Sequence, residues 1–317
     1  MPAILTHDFF GRDFYAANNA LIGESPDARD AFLLGNQGPD PLFYLVAAPD
    51  MKAFTSLGSN MHHDRPTALI AAIRESLEAL TDSERLIGEA YAAGFLCHYT
   101  LDSSAHPFIY AQQFAICDAG LDGITRADGN DVHAEIERTI DEVVLVNKMN
   151  LTIREYRPYK EVLNASEDVL RIIGKMYVFV CLRAYRLSVP DVIFSRAVHG
   201  FRLVQRLMYS PEQTGHKTFN AIERGILGRG HSFYAAMAHR VNESSLCAFD
   251  NHEHASWANP FTGEVSTVGF WDIYAEAQRK AQASIELFQS PEFDSFFDLE
   301  SARKITHGLD FSGEPVE

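Results

Sequence analysis

Residues 94–107 restrict the possible folds of this chain more than any other stretch. Their sequence, GFLCHYTLDSSAHP, follows an apolar segment and carries His98, Asp102 and His106 at every fourth position. On an α-helix each step of four residues drifts by only about 40°, so the three side chains leave one face. Burying two imidazoles and a carboxylate together is costly unless something neutralises them. The stretch therefore predicts a core helix whose polar face binds a metal ion.

Other candidate ligands precede this stretch. Asp40 stands between Pro39 and Pro41, which restrict its backbone and suit a fixed ligand, although a carboxylate in such a place could also cap a turn. His62 and His63 form a pair just before a predicted helix. We predict that one of these two histidines is a ligand and that the other is incidental.

A further pair follows the central stretch. His133 and Glu137 stand four residues apart on one face of a predicted helix, while Glu135 points elsewhere, and such a pair could also be an ordinary surface arrangement. The candidate metal ligands of the whole chain are His7, Asp40, His62, His98, Asp102, His106, His133 and Glu137. Imidazole nitrogens with carboxylate oxygens suit Zn²⁺, and Fe or Mn is an alternative.

Composition excludes several classes of protein. The formal net charge of −16 argues against a duplex nucleic-acid partner, which needs clustered Lys and Arg. The four cysteines are widely spaced and form no C-x-x-C pair, so neither a disulfide framework nor a zinc ribbon is expected. The N-terminus shows no leader pattern, and no apolar run reaches membrane-spanning length. We therefore expect a cytoplasmic protein without a transmembrane segment, and nothing in the sequence indicates a protein partner.

The hydrophobic pattern is helical. Residues 1–66 are rich in glycine and proline and are predicted to be mainly loops. Thr81 and Glu84 form a capping-box pattern at the start of the central helix, and Pro107 predicts the end of that helix at about His106. The other predicted helices cover residues 67–80, 131–146, 167–187, 190–208 and 271–288.

Two polar segments in the second half of the chain are predicted to be loops. The glycine-rich run Gly225–His231 lacks both the G-K-[ST] ending and the preceding strand of a phosphate-binding loop. The run Asn251–Gly263 contains Trp257, which could line a site or pack against a helix. No alternating pattern of β-strands stands out, so the predicted fold class is all-α.

The spacing of the ligands resembles the zinc-dependent phospholipase C and P1-type nuclease family. His98-x-x-x-Asp102 followed by His106 looks like that family's H-x-x-x-D with its next histidine, and His133-x-x-x-Glu137 looks like the family's second helical pair. The resemblance covers about the first 140 residues, where Asp40 and His62 also occupy the matching places in order. It implies a multi-helix bundle formed by one domain over residues 1–317, in which residues 150–317 complete the bundle.

The resemblance also implies how the ligands are shared among three metal ions. Asp40, His62, His98 and Asp102 would hold the first ion, Asp102 and His7 the second, and His106, His133 and Glu137 the third. In that family an N-terminal tryptophan also binds the second ion, whereas this chain begins Met1-Pro2. The number of ions expected is therefore two or three.

The implied function is a metal-dependent phosphoric ester hydrolase, similar to phospholipase C, which uses a metal-activated water on a small phosphoester or phospholipid. Asp40 would orient or deprotonate that water. Two alternatives stay open. One is a phosphohydrolase of the helical HD type, with His63-Asp64 as its doublet. The other is a helical binding protein with a structural metal site.

Overall fold

The computed structural model describes residues 4–120, 123–209 and 239–317. This part of the chain is mostly helical with almost no strand, so the predicted all-α class is confirmed. The helices are α1 (Ile4–Ile22), α2 (Pro26–Gly35), α3 (Leu57–His63), α4 (Pro66–Ser76), α5 (Asp82–Asp118), α6 (Gly129–Met149), α7 (Pro158–Glu161), α8 (Glu167–Tyr185), α9 (Ile193–Met208), α10 (Phe270–Gln289) and α11 (Leu299–Thr306). Within the described residues, no helix combines the length and the apolar character needed to cross a bilayer.

Shorter elements connect these helices. The 3-10 helices are Asp40–Ala47, Pro49–Phe54, Leu77–Ala79 and Arg126–Asp128. Strands β1 (Trp257–Ala258) and β2 (Val265–Ser266) form a small antiparallel hairpin in which Trp257 pairs with Ser266. The Gly225–His231 run, predicted to be a turn, lies outside the described residues.

The chain divides into two compact units, each built from separate segments. Unit 1 comprises Met1–Phe9, Ala105–Val162 and Gln205–Ile273, and unit 2 comprises Phe10–Ser104, Leu163–Val204 and Tyr274–Glu317. Helix α5 contributes residues to both units. The expectation of a single domain over residues 1–317 stays a prediction.

The prediction that residues 1–66 are mainly loops is wrong. Prolines in this region start helices rather than interrupt them: Pro26, Pro49 and Pro66 each stand in the first turn of a helix or 3-10 helix. Proline suits that position because its missing N–H would have no partner there. Ser25 caps α2 by accepting a hydrogen bond from the backbone N–H of Ala28 at 3.1 Å.

The predicted end of the central helix at about His106 is also wrong, because α5 continues through Pro107 to Asp118. A proline inside a helix costs about 3 kcal/mol. Phe108 and Ile109, which directly follow it, are buried. Burying such side chains stabilises a fold by about 1.5–3 kcal/mol each, which together offsets the cost of the proline.

The other predicted helices are present with small differences at their ends. Residues 131–146, 167–187, 190–208 and 271–288 correspond to α6, α8, α9 and α10, and residues 67–80 correspond to α4 with the 3-10 turn that follows it. One half of the predicted capping box forms, since the backbone N–H of Thr81 donates to Glu84 Oε2 at 3.2 Å.

Close packing between α2 and α5 positions the residue that follows α2 beside His98. A Cβ on Gly94 would overlap the carbonyl oxygen of Phe32, and a Cβ on Gly35 would overlap the backbone of α5. Only glycine at these two positions lets the helix backbones approach so closely. As a result, the carbonyl oxygen of Asn36, the residue that directly follows α2, lies beside His98 of α5.

Candidate metal centre

Four predicted ligands of unit 2 lie together and are buried. We call Asp40, His62, His98 and Asp102 the His98 cluster. His62 Nε2 lies 3.1 Å from Asp40 Oδ1 and 3.9 Å from Asp102 Oδ2, and His98 Nε2 lies 3.3 Å from Asp102 Oδ2. His62, His98 and Asp102 form a group that could hold a metal ion.

Backbone carbonyls orient both imidazoles of the His98 cluster. His62 Nδ1 donates to the carbonyl oxygen of Gly58 at 2.7 Å, and His98 Nδ1 donates to that of Asn36 at 3.1 Å. A carbonyl oxygen can only accept, so Nδ1 of each ring carries a proton and Nε2 is the nitrogen that faces the carboxylates, where a metal ion would replace its proton. Metal-binding histidines are usually oriented in this way.

Gly38 makes room for the His98 ring, a role that the sequence motif did not reveal. Its backbone is left-handed, with φ of +49°, and a Cβ on it would overlap the imidazole carbon Cδ2 of His98. Both observations favour glycine at this position, because the left-handed region disfavours side chains and the ring beside it is buried. The sequence shows this glycine only as part of a turn.

The His98 cluster concentrates negative charge away from water. Burial acts to raise the pKa of Asp40, but the hydrogen bond from His62 and the charges of His98 and His62 outweigh it and hold that pKa below its usual value. As metal ligands both imidazoles would be neutral, and with ionised Asp40 and Asp102 the four ligands would carry a charge of about −2, which a divalent cation would cancel.

Three predicted ligands of unit 1 form a second group that could hold a metal ion. We call His106, His133 and Glu137 the His133 cluster. The Nε2 atoms of both histidines lie 3.3 Å from the same oxygen, Glu137 Oε1. Their rings are stacked, with centroids 5.4 Å apart and planes inclined by 19°.

The protonation states of the His133 cluster suit a metal ligand set. His133 Nδ1 lies 2.9 Å from Oε1 of the buried Gln113, which accepts its proton and leaves Nε2 facing Glu137. Burial and the nearby His106 lower the pKa of His133 although Glu137 acts to raise it, which favours the neutral imidazole that a metal ion binds. Burial alone would raise the pKa of Glu137, but the charge of His133 and hydrogen bonds from both histidines help to hold it well below its ordinary value.

The two clusters differ in ligand number and in access to solvent. The His98 cluster offers four side chains, and the side chain of His98 is 0% exposed. The His133 cluster offers three, and the side chains of His106 and His133 are 13% and 15% exposed. Zinc sites with four protein ligands are usually structural, whereas catalytic sites keep a position open for water or substrate.

The spacing of the His133 cluster and of the His98–Asp102 pair fits a central zinc ion, whereas His62 lies 3.1 Å from Asp40 and 3.9 Å from Asp102. Tetrahedral zinc with bonds of about 2.0–2.1 Å places neighbouring ligand atoms about 3.3–3.4 Å apart. The distances of 3.3 Å around Glu137 Oε1, and of 3.3 Å between His98 and Asp102, match that spacing. They are longer than the 2.9–3.0 Å most common for a direct N–H···O hydrogen bond.

The remaining predicted residues lie as follows. His7 is buried on α1 in unit 1, and its sharing of a metal ion with Asp102 stays a prediction. His63 is exposed, and its Nδ1 lies 3.1 Å from Asp310 Oδ2. Asp64 is exposed at the end of α3. Of the two adjacent histidines, His62 is therefore the one that lies in the cluster.

The Asn251–Gly263 segment packs against α5 within unit 1. The rings of Trp257 and Phe108 meet edge to face with centroids 5.3 Å apart, and Trp257 Nε1 donates to the carbonyl oxygen of Val268 at 3.0 Å. Strand β1 begins at Trp257, so the predicted loop contains the first strand of the hairpin.

Gln113 provides a test of how the His133 ring is oriented. We expect Gln113→Leu to weaken zinc binding at the His133 cluster by about 10–100-fold, as for other residues that orient a ligand. Gln113→Glu keeps an acceptor and should restore most of the affinity. The matched control is Gln112→Leu, since Gln112 donates to the carbonyl oxygen of Phe249 instead. Competition with a chromophoric chelator measures these affinities, and unchanged binding by Gln113→Leu would contradict the assignment.

Comparisons of the chain with protein-family models, with curated proteins and with solved structures find no significant match.

Proposed function

We propose that this protein is a zinc-dependent phosphoric ester hydrolase whose catalytic centre is the His133 cluster. The observation that carries the proposal is the convergence of His106 and His133 on one oxygen of Glu137 at 3.3 Å, in a partly exposed position. This is a ligand set of two histidines and one carboxylate, which zinc hydrolases use with an open coordination position.

The chain's own residues have separate tasks in this proposal. His106, His133 and Glu137 would hold the ion, and Gln113 keeps the His133 ring in the tautomer that binds it. Bound zinc lowers the pKa of a coordinated water and stabilises negative charge on a phosphoryl oxygen. The low pKa of Glu137 keeps this ligand ionised over the working pH range.

Charge favours a phosphoester among possible substrates. A divalent ion held by Glu137 and two neutral imidazoles leaves a local charge of about +1, which suits the single negative charge of a phosphodiester. Such a centre would attract an anion despite the net charge of −16 on the whole chain. The resemblance of the ligand spacing to the phospholipase C and P1-type nuclease family supports the same substrate class.

We assign a structural ion to the His98 cluster. Its four ligands are buried, and a zinc ion would cancel their combined charge of about −2. Because Asp40 is buried and paired with His62, we assign it to metal binding, and its role toward the attacking water stays a prediction.

The closed His98 cluster also favours the second candidate function, a helical protein with a structural metal and no turnover. The HD-type alternative relies on His63 and Asp64, which are both exposed, so neither residue supports it.

Removal and return of zinc test the proposed function. Purified protein should hydrolyse bis-p-nitrophenyl phosphate. Treatment with a chelator should lower the rate of hydrolysis by at least about 100-fold, and added Zn²⁺ should restore it. The helical circular dichroism of the stripped protein shows whether the fold survives. A zinc-loaded, folded protein with no turnover on a panel of phosphomonoesters and phosphodiesters would instead support the structural-metal function.

A further inference from the structure

Residues 306–317 form a closed loop with its own internal bonds; we call it the 306–317 segment. Leu309 and Pro315 form an isolated antiparallel bridge, and the backbone N–H of Val316 donates to the carbonyl oxygen of Gly308 at 2.9 Å. Asp310 Oδ1 accepts from two backbone N–H groups within the loop, at 2.8 and 3.1 Å. The segment therefore has a defined shape and can present Phe311 in one orientation.

Hydrogen bonds fasten this segment to the helices that carry the His98 cluster. The backbone N–H of Phe311 donates to the carbonyl oxygen of His62 at 3.1 Å. The hydroxyl of Tyr99, the residue after His98, lies 2.7 Å from the carbonyl oxygen of Leu309 and 3.0 Å from that of Thr306. Both α3 and α5 are thus bonded to the segment beside their ligand residues.

The ring of Phe311 contacts both ligand imidazoles and is 1% exposed. Its centroid lies 5.0 Å from that of His62 and 5.7 Å from that of His98. Tyr99 and Phe95 meet the same ring edge to face, at 5.0 and 6.0 Å. In a close-packed interior the space beside a ring decides whether that ring can turn. Phe311 therefore limits rotation of both imidazoles, while the carbonyl acceptors on their Nδ1 atoms fix which edge faces the carboxylates.

We propose that Phe311 is a positioning residue for the His98 cluster, and that zinc binding there and docking of the 306–317 segment stabilise each other. The inference rests on the proposed zinc site, because it concerns the affinity of that site. Coupling of this kind is reciprocal: if the docked segment increases the affinity for zinc, zinc must stabilise the docked segment by the same factor.

The test uses a Glu137→Gln protein, in which the His133 cluster lacks its carboxylate and the His98 cluster is intact. Adding Phe311→Ala should weaken zinc binding by about 10–100-fold, the range found for residues that orient ligands. The matched control is Phe293→Ala, since Phe293 is an equally buried phenylalanine of the same unit that packs against Phe288. Equal zinc affinity of the two variants would overturn the proposal.

Hydrogen exchange gives a readout that does not depend on the folding of the Phe311 variant. In the Glu137→Gln protein, saturating zinc should slow exchange of the Phe311 amide by about 10-fold or more, because the segment must undock to expose it. The same exchange rate with and without bound zinc would overturn the proposal. If the Glu137→Gln protein binds no zinc at all, the His98 cluster is not a metal site, and the proposal is overturned together with that site.

Discussion

Replacing Glu137 with glutamine is expected to remove one zinc equivalent and to lower kcat/KM for bis-p-nitrophenyl phosphate by more than about 100-fold. Loss of a residue that only orients a ligand costs up to about 100-fold, and loss of a ligand should cost more. Both histidines of the His133 cluster lie 3.3 Å from Glu137 Oε1, and the carboxylate supplies the only negative charge among the three ligands. The amide of glutamine keeps the shape but cannot balance a divalent ion. Metal analysis of the purified variant and steady-state kinetics measure the two effects.

Glu135→Gln is the matched control for this substitution. It removes a carboxylate from the same helix, two residues away and therefore on a different face. The side chain of Glu135 is 41% exposed and pairs with Arg138 and Arg240 rather than with the cluster. The Arg240 pair is exposed, but Arg138 is buried and keeps Glu142 as an acidic neighbour, so this variant should lose some stability while it keeps its zinc and activity. Similar losses in both variants would show that the effect of Glu137→Gln is not due to a metal ligand.

Gly38→Ala is expected to destabilise the fold by about 2–5 kcal/mol and to abolish zinc binding at the His98 cluster. An alanine in the left-handed region costs about 1–2 kcal/mol, and a buried methyl group without space adds about 1–3 kcal/mol. The clash falls on the imidazole of His98, so the strain is relieved by moving a ligand. Chemical denaturation and zinc titration measure the two consequences.

Gly263→Ala is the control that separates the cost of backbone strain from the cost of displacing the His98 ring. Gly263 has φ of +76°, and no described atom lies within 4 Å of the place its Cβ would occupy. Gly263→Ala should therefore lose only about 1–2 kcal/mol and keep both zinc ions. If Gly38→Ala behaves in the same way, the close fit between Gly38 and His98 is not what shapes the cluster.

Local spacing was sufficient to predict which helices carry the candidate ligands. The four-residue step between His98 and Asp102, and between His133 and Glu137, places each pair on one helical face whatever the rest of the chain does. The all-α class followed from the same periodicity. The number of compact units could not be derived in this way, because it depends on contacts between distant segments.

The wrong predictions share one physical cause, namely the double role of proline and glycine. Pro26 and Pro66 begin helices, and Pro107 stands inside one whose flanking side chains are buried. Gly35 serves the contact between two helices rather than a loop. Each residue is compatible with several conformations, and only the tertiary packing around it selects one.

The residues that orient the ligands could not be predicted from the sequence at all. Gln113 lies 20 positions from His133, and Phe311 lies more than 200 positions from both His62 and His98. Neither belongs to a motif, and a glutamine or phenylalanine has no special affinity for a metal. Their roles follow only from where the folded chain brings them.

The most direct test of the central claim is anomalous diffraction from crystals grown with zinc, with data collected on either side of the zinc absorption edge. We predict a zinc peak in each cluster, and in the His133 cluster a peak within about 2.0–2.2 Å of His106 Nε2, His133 Nε2 and a Glu137 oxygen. Zinc-loaded crystals with no anomalous peak among these three residues would contradict the assignment of the His133 cluster as the catalytic centre.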